Sequence, residues 1–63
     1  MGLVHIALSF DDVDAAYARA LAAGADSVQS PTSFTLPEWR VRLAFVDGPS
    51  GERIELYRTT LNQ

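Results

Sequence analysis

His5, the one histidine in the chain, and Glu55 are the two residues whose types and settings could do chemistry together. Each sits in an alternating stretch, His5 between Val4 and Ile6 and Glu55 between Ile54 and Leu56, so each points away from the face its apolar neighbours take. An imidazole and a carboxylate on one sheet face can share a divalent cation, and a nitrogen-plus-oxygen donor set suits Fe, Mn, Co, Ni or Zn. Two donors hold a metal poorly. A second copy related by a two-fold axis would supply the pair again and leave positions open for a substrate that chelates through two oxygens. The chain has no cysteine, so thiolate nucleophiles, disulfides and Cys-type zinc sites are excluded together.

Tyr57, Arg42 and Trp39 are the candidates for contact with a substrate. Arg42, with Arg40, suits an anionic group such as a carboxylate, although strand arginines are as a rule solvated. Tyr57 either lines a pocket or covers the sheet edge. Trp39 is a pocket wall, a dimer contact or a core aromatic. Glu55 also has a plainer reading, as a solvated strand residue paired with Arg42 or Arg53. Asp11, Asp12 and Asp14 read as helix-start chemistry, since the spaced oxygen donors of a calcium loop are missing. Gly48 and Gly51 serve a turn, because a short GPSG is no phosphate-binding loop.

These side chains need elements to position them. In LVHIALSF, Val4, Ile6, Leu8 and Phe10 form one face and Leu3, His5, Ala7 and Ser9 the other, which predicts a strand. Val13, Ala16, Tyr17, Ala20 and Leu21 then recur at helical spacing, with Asp11 or Asp12 able to cap and Gly24 suited to the left-handed residue after the last turn. The helix is expected from about Asp12 to Ala23. ADSVQS reads as a short strand that Pro31 ends, and 31–38 as a surface loop or a loosely paired edge. Trp39, Val41, Leu43 and Phe45 alternate with Arg40, Arg42, Ala44 and Val46 in a further strand. DGPSG turns the chain into ERIELYR, and TTLNQ is expected to fray.

The order β-α-β-β-β implies an α+β fold, a four-stranded mixed sheet with one helix on one face. That face is expected to carry Val4, Ile6, Leu8, Leu43, Phe45, Ile54 and Leu56. The other carries His5, Ala7, Ser9, Glu55 and Tyr57, with Arg40 and Arg42 as further candidates. A right-handed helical crossover followed by two hairpins brings the first and last strands together in the sheet centre, and His5 beside Glu55.

Length and charge bound the rest. The 63 residues read as one domain spanning 1–63, and 48% hydrophobic with 21% charged residues is a globular balance. Ordering each residue costs roughly 1.5 kcal/mol while so short a chain buries only about 60% of its unfolded surface, so a partner is needed and a homodimer is expected. A net charge of −3 argues against a nucleic-acid partner. No apolar run is long enough to span a membrane and no secretory leader is evident, so the expected location is cytoplasmic.

Taken in order, HIALSFDDVDAAYARALAAGA at 5–25 and RLAFVDGPSGERIEL at 42–56 resemble the vicinal oxygen chelate superfamily, which includes glyoxalase I, bleomycin-resistance proteins and extradiol dioxygenases. The resemblance covers most of the chain outside 31–38. It implies a βαβββ module that pairs with another to cup a site, with His5 and Glu55 matching the usual module ligands for a divalent metal. It also implies two function classes. One is metal-dependent lyase, isomerase or dioxygenase chemistry on a small substrate with vicinal oxygens, with Glu55 as the catalytic base and the site shared across a homodimer. The other is non-catalytic binding and sequestration of a small molecule or drug. Chains of the family usually carry at least two modules, whereas this sequence resembles a single module, most like the carboxy-terminal one, so self-pairing or a partner half is implied.

Overall fold

The helix forms where its caps are. Asp12 holds an extended backbone (φ −129°, ψ 93°) and its carboxylate accepts the Ala15 N–H at 3.0 Å, which satisfies one of the free donors of the first turn. Helix α1 runs Val13–Ala22, and Gly24 follows at φ 106°, a conformation that a side chain disfavours. Val13 and Ala16 are buried, Tyr17 is half-buried, and Leu21 at the end of the same stripe is exposed. The computed structural model describes residues 5–62.

Four strands make one mixed sheet: β1 His5–Ser9, β2 Asp26–Thr35, β3 Trp39–Asp47 and β4 Arg53–Leu61, in the spatial order β1-β4-β3-β2. β1 runs parallel to β4, and the two other pairings are antiparallel. The expected α+β module is therefore present, with β4 inside the sheet. β1 is adjacent to β4, as expected, but lies at the edge rather than in the centre. Val4 and Leu3, assigned to the two faces of this strand, lie outside the described residues.

Register decides which residues the helix covers. Ala44 stands opposite Leu56 and Val46 opposite Ile54, so the even-numbered residues of β3 share the helix side with Leu56. Ala44, Val46, Leu56, Val13 and Ala16 are the buried apolar residues, packed against half-buried Phe10, Tyr17 and Ile54. Leu43 and Phe45, expected under the helix, face the opposite side. Size explains the swap: a helix rich in alanine approaches the sheet closely over Ala44, where Leu43 or Phe45 would hold it off. Arg40 and Arg42 correspondingly lie on the helix side and not beside Glu55.

Three further expectations change. β2 continues through Pro31 to Thr35, because the strand is an edge and Pro31 falls where its pairing with β3 is irregular, so the missing N–H is tolerated. Its pairing is irregular between Ser27 and Thr32, where the register shifts twice. The carboxy-terminal stretch does not fray: Trp39 pairs with Leu61, and Asn62 donates to the Glu38 carbonyl at 3.0 Å and through its side chain to the Leu36 carbonyl at 2.9 Å. Trp39 is 41% exposed rather than a core aromatic, since it lies on the helix-free side at the far end of β3. Tyr57, on interior strand β4, does not cover a sheet edge.

The shortest dimension of the molecule is 15 Å, which accommodates the sheet and one helix layer about 10 Å away. The helix-free face is therefore bare. Ile6 and Leu8 are also 39% and 45% exposed on the helix side, because α1 does not reach over β1. Among the described residues no helix is long and apolar enough to cross a membrane.

Candidate metal and ligand site

The parallel β1/β4 ladder sets Ala7 opposite Glu55 and His5 opposite Arg53, so His5 is the diagonal neighbour of Glu55 on the bare face. Their side chains meet, with His5 Nε2 at 3.4 Å from Glu55 Oε1. The imidazole is 56% exposed and the carboxylate 24% exposed, so both reach solvent and an incoming ligand. Phe45, opposite Glu55 on β3, places its ring 6.2 Å from the imidazole and tilted by 51°, which forms an apolar wall beside the pair.

Arg53 does not compete for Glu55. Its guanidinium donates from Nε to Asp47 Oδ1 at 2.5 Å and from Nη2 to Asp47 Oδ2 at 3.3 Å, a forked pair across the β3/β4 turn. These hydrogen bonds hold the Asp47 carboxyl below the usual carboxylate range and raise the Arg53 guanidinium above its own. The turn is set by Gly48 N–H to the Glu52 carbonyl at 2.9 Å, with Gly51 at φ 86°. Asp47 was not singled out from sequence. Its signal was positional: Asp47 and Arg53 flank the five residues GPSGE of the turn and therefore face each other.

The other candidates are distributed unevenly. Tyr57 lies on the same face as Glu55, two residues along β4, and helps line a cavity of about 670 Å³ with Ser9 and Phe10. Trp39 shares the face but stands six residues along β3 from Phe45, roughly 20 Å at the rise of an extended strand. Arg42 is on the opposite face, where Nε and Nη2 donate to the Asp14 carboxylate at 2.7 and 2.6 Å and Nη1 donates to Ser33 Oγ at 2.8 Å. The Arg42 hydrogen bonds hold Asp14 below the usual carboxylate range. The structure thus brings His5, Glu55 and Tyr57 onto one face and leaves Trp39 and Arg42 apart from them.

Two donors about 2.1 Å from a common ion, at octahedral to tetrahedral angles, stand about 3.0–3.4 Å apart, so the His5/Glu55 spacing fits shared ligation. The fit is to half a site. Among the described residues no three His, Cys, Asp or Glu side chains cluster closely enough to hold a metal ion. Neither His5 nor Glu55 lines the cavities of about 670, 420 and 220 Å³, and the pair sits on an open sheet surface.

A family model described as Glyoxalase/Bleomycin resistance protein/Dioxygenase superfamily matches residues 1–56. The crystal structure of TioX from Micromonospora sp. ML1 is similar over 100% of this chain, with 28% sequence identity and a TM-score of 0.71. The chain spans 48% of TioX, about half its length. No curated protein matches the chain in sequence.

Proposed function

We propose that this chain, which belongs to the Glyoxalase/Bleomycin resistance protein/Dioxygenase superfamily, supplies half of a divalent-metal site acting on a small molecule with adjacent oxygens. The observation that carries the reading is the 3.4 Å spacing of His5 Nε2 and Glu55 Oε1 on an open face whose nearby cation, Arg53, is already neutralised. A second copy would bring the same two donors and make a homodimer of two modules. The open edge of β1 and the exposed Ile6 and Leu8 support such a pairing.

A metal bound there would supply Lewis acidity toward both substrate oxygens, the common element of lyase, isomerase and dioxygenase chemistry. His5 and Glu55 would hold it. The Glu55 carboxylate is also the group on this face able to accept a proton from a carbon beside those oxygens. Phe45 and Leu43 make the neighbouring part of this face apolar, and Tyr57 stands opposite Ser9 two residues along β4 from Glu55.

Metal content per chain, measured by plasma mass spectrometry on untagged protein with His5→Ala as control, tests the reading. About half an ion per chain, lost in the control, is expected of a site shared by two copies. Protein that takes up no Ni, Mn, Fe, Co or Zn, and whose Glu55→Gln form is indistinguishable, overturns it.

A second reading is favoured by the apolar bare face, where Phe34 and Trp39 are 48% and 41% exposed and Phe45 and Tyr57 half-covered. On this reading the paired modules sequester a flat aromatic compound without transforming it. Saturable quenching of Trp39 fluorescence by aromatic compounds in metal-free buffer would support it. Failure of a broad panel to quench would count against it.

A further inference from the structure

We propose that the helix-side pocket between Arg40, Arg42 and Arg58 is a binding site for a compact oxyanion, phosphate either free or as a monoester. The proposal is independent of the His5/Glu55 reading, because this pocket lies on the other face of the sheet. Three of the chain's five arginines surround one cavity of about 220 Å³, in a protein whose net charge is −3. Arg42 and Arg58 stand directly opposite each other in the β3/β4 ladder, an arrangement of like charges that costs stability unless something compensates.

Compensation within the protein is incomplete. Asp14 neutralises Arg42. Arg58 is held through Nη1 by the Asp11 backbone carbonyl at 2.9 Å, and Arg40 through Nε by the Asn62 side-chain carbonyl at 3.1 Å. Both anchors are neutral oxygens, so they orient the guanidinium groups without cancelling their charge. Among the described residues neither Arg40 nor Arg58 makes an ion pair. The Arg40 anchor is itself braced, since Asn62 donates to the Leu36 carbonyl at 2.9 Å.

The rest of the lining suits the same ligand. Beside the apolar Phe34 and Val41, Ser33, Thr35 and Thr60 bring hydroxyls able to donate to oxyanion oxygens, and no carboxylate side chain lines the pocket. Two guanidinium groups approaching from adjacent strands, each with N–H groups to spare, match the several acceptors of a phosphate better than the single positive point of a lysine would. The pocket's volume accommodates a phosphate group with a small organic substituent and no large ligand.

The test is a titration of the isotopically labelled chain with inorganic phosphate at constant ionic strength, followed by backbone amide shifts. Saturable shifts confined to residues 33–35, 40–42 and 58–60 are expected. Arg40→Gln and Arg58→Gln should each weaken binding about tenfold, as loss of a charge-assisted contact does, while Arg19→Gln on the exposed side of the helix leaves it unchanged. Arg58→Lys keeps the charge and loses the fork, so it should bind between wild type and Arg58→Gln, and it serves if the glutamine variant does not fold. Shifts that never saturate, that chloride reproduces, or that Arg19→Gln weakens equally would overturn the proposal. A comparison of phosphate with a phosphate monoester then tells the free ion from the esterified ligand.

Discussion

Arg53 gives its guanidinium to Asp47 and leaves Glu55 to His5. The relationship matters because Arg53 precedes Glu55 on the same strand face and is the cation best placed to occupy its carboxylate. Removing Asp47 should free Arg53 to compete with a metal for Glu55. In Asp47→Asn the affinity for Ni(II) is expected to fall about three- to tenfold although both ligands are intact, as a nearby positive charge disfavours a cation. Adding Arg53→Gln should restore it, and calorimetric titration of the four proteins of this cycle measures the coupling. Equal affinity in Asp47→Asn and wild type would show that Arg53 does not govern the site.

The Asp14–Arg42 pair ties the first turn of α1 to β3, and its contribution depends on pH with a definite sign. Asp14 titrates below the carboxylate range in the folded chain, chiefly because Arg42 hydrogen-bonds its ionised form. A depressed folded pKa contributes stability that is present above the unfolded value of about 3.9 and is lost as pH falls through the folded value. Wild type should therefore have a higher urea midpoint than Asp14→Asn at pH 7, and the gap should close on acidification below about pH 4. A gap that is the same at pH 7 and pH 2.5 would mean that it does not come from the ionised Asp14 carboxylate.

Helix limits, the adjacency of β1 and β4 and the meeting of His5 with Glu55 were legible in the sequence, since each follows from local periodicity, capping residues and the βαβββ connection, whereas the edge position of β1 was not. Which face of β3 turned inward was not. Trp39, Val41, Leu43 and Phe45 are the bulkier set, and hydrophobicity alone puts them under the helix. The deciding quantity is the gap between α1 and the sheet, which the small Ala16 and Ala44 side chains set and no single segment reveals. The same assignment misplaced Arg42, because strand alternation carries it wherever Ala44 goes. The extension of β2 past Pro31 and of β4 to Leu61 depends on pairing partners, a non-local property.

Leu56 tests how little core the chain has. It is 4% exposed and packs with Val13, Ala16 and Ala44, and among the described residues the buried apolar set is only Val13, Ala16, Ala44, Val46 and Leu56. Leu56→Ala removes the largest member of the packed cluster, a change that costs about 2–5 kcal/mol. A core of this size supplies no more than about 3–5 kcal/mol. The variant is expected to lose most of its folded population at 25 °C, read by the collapse of amide shift dispersion, whereas Leu61→Ala at an exposed strand end should leave the spectrum dispersed.

β1 bears on whether the chain completes its site with a second copy. Among the described residues it pairs only with β4, so its other edge presents backbone groups without a partner strand, and Ile6 and Leu8 add exposed apolar surface beside it. That surface runs on into a groove of about 420 Å³ lined by Leu8, Phe10, Ala20, Ile54 and Leu56. An exposed edge with apolar neighbours is a template for association, and a charged residue there is the usual block. Leu8→Lys points to the helix side, away from His5 and Glu55, so it should disrupt pairing without altering either ligand. Sedimentation velocity is expected to show a wild-type dimer and a Leu8→Lys monomer, and the monomer should bind Ni(II) at least about tenfold more weakly because half its donors are gone. A Leu8→Lys protein that stays dimeric would move the interface away from β1. A monomer that keeps full affinity would show that His5 and Glu55 need no second pair.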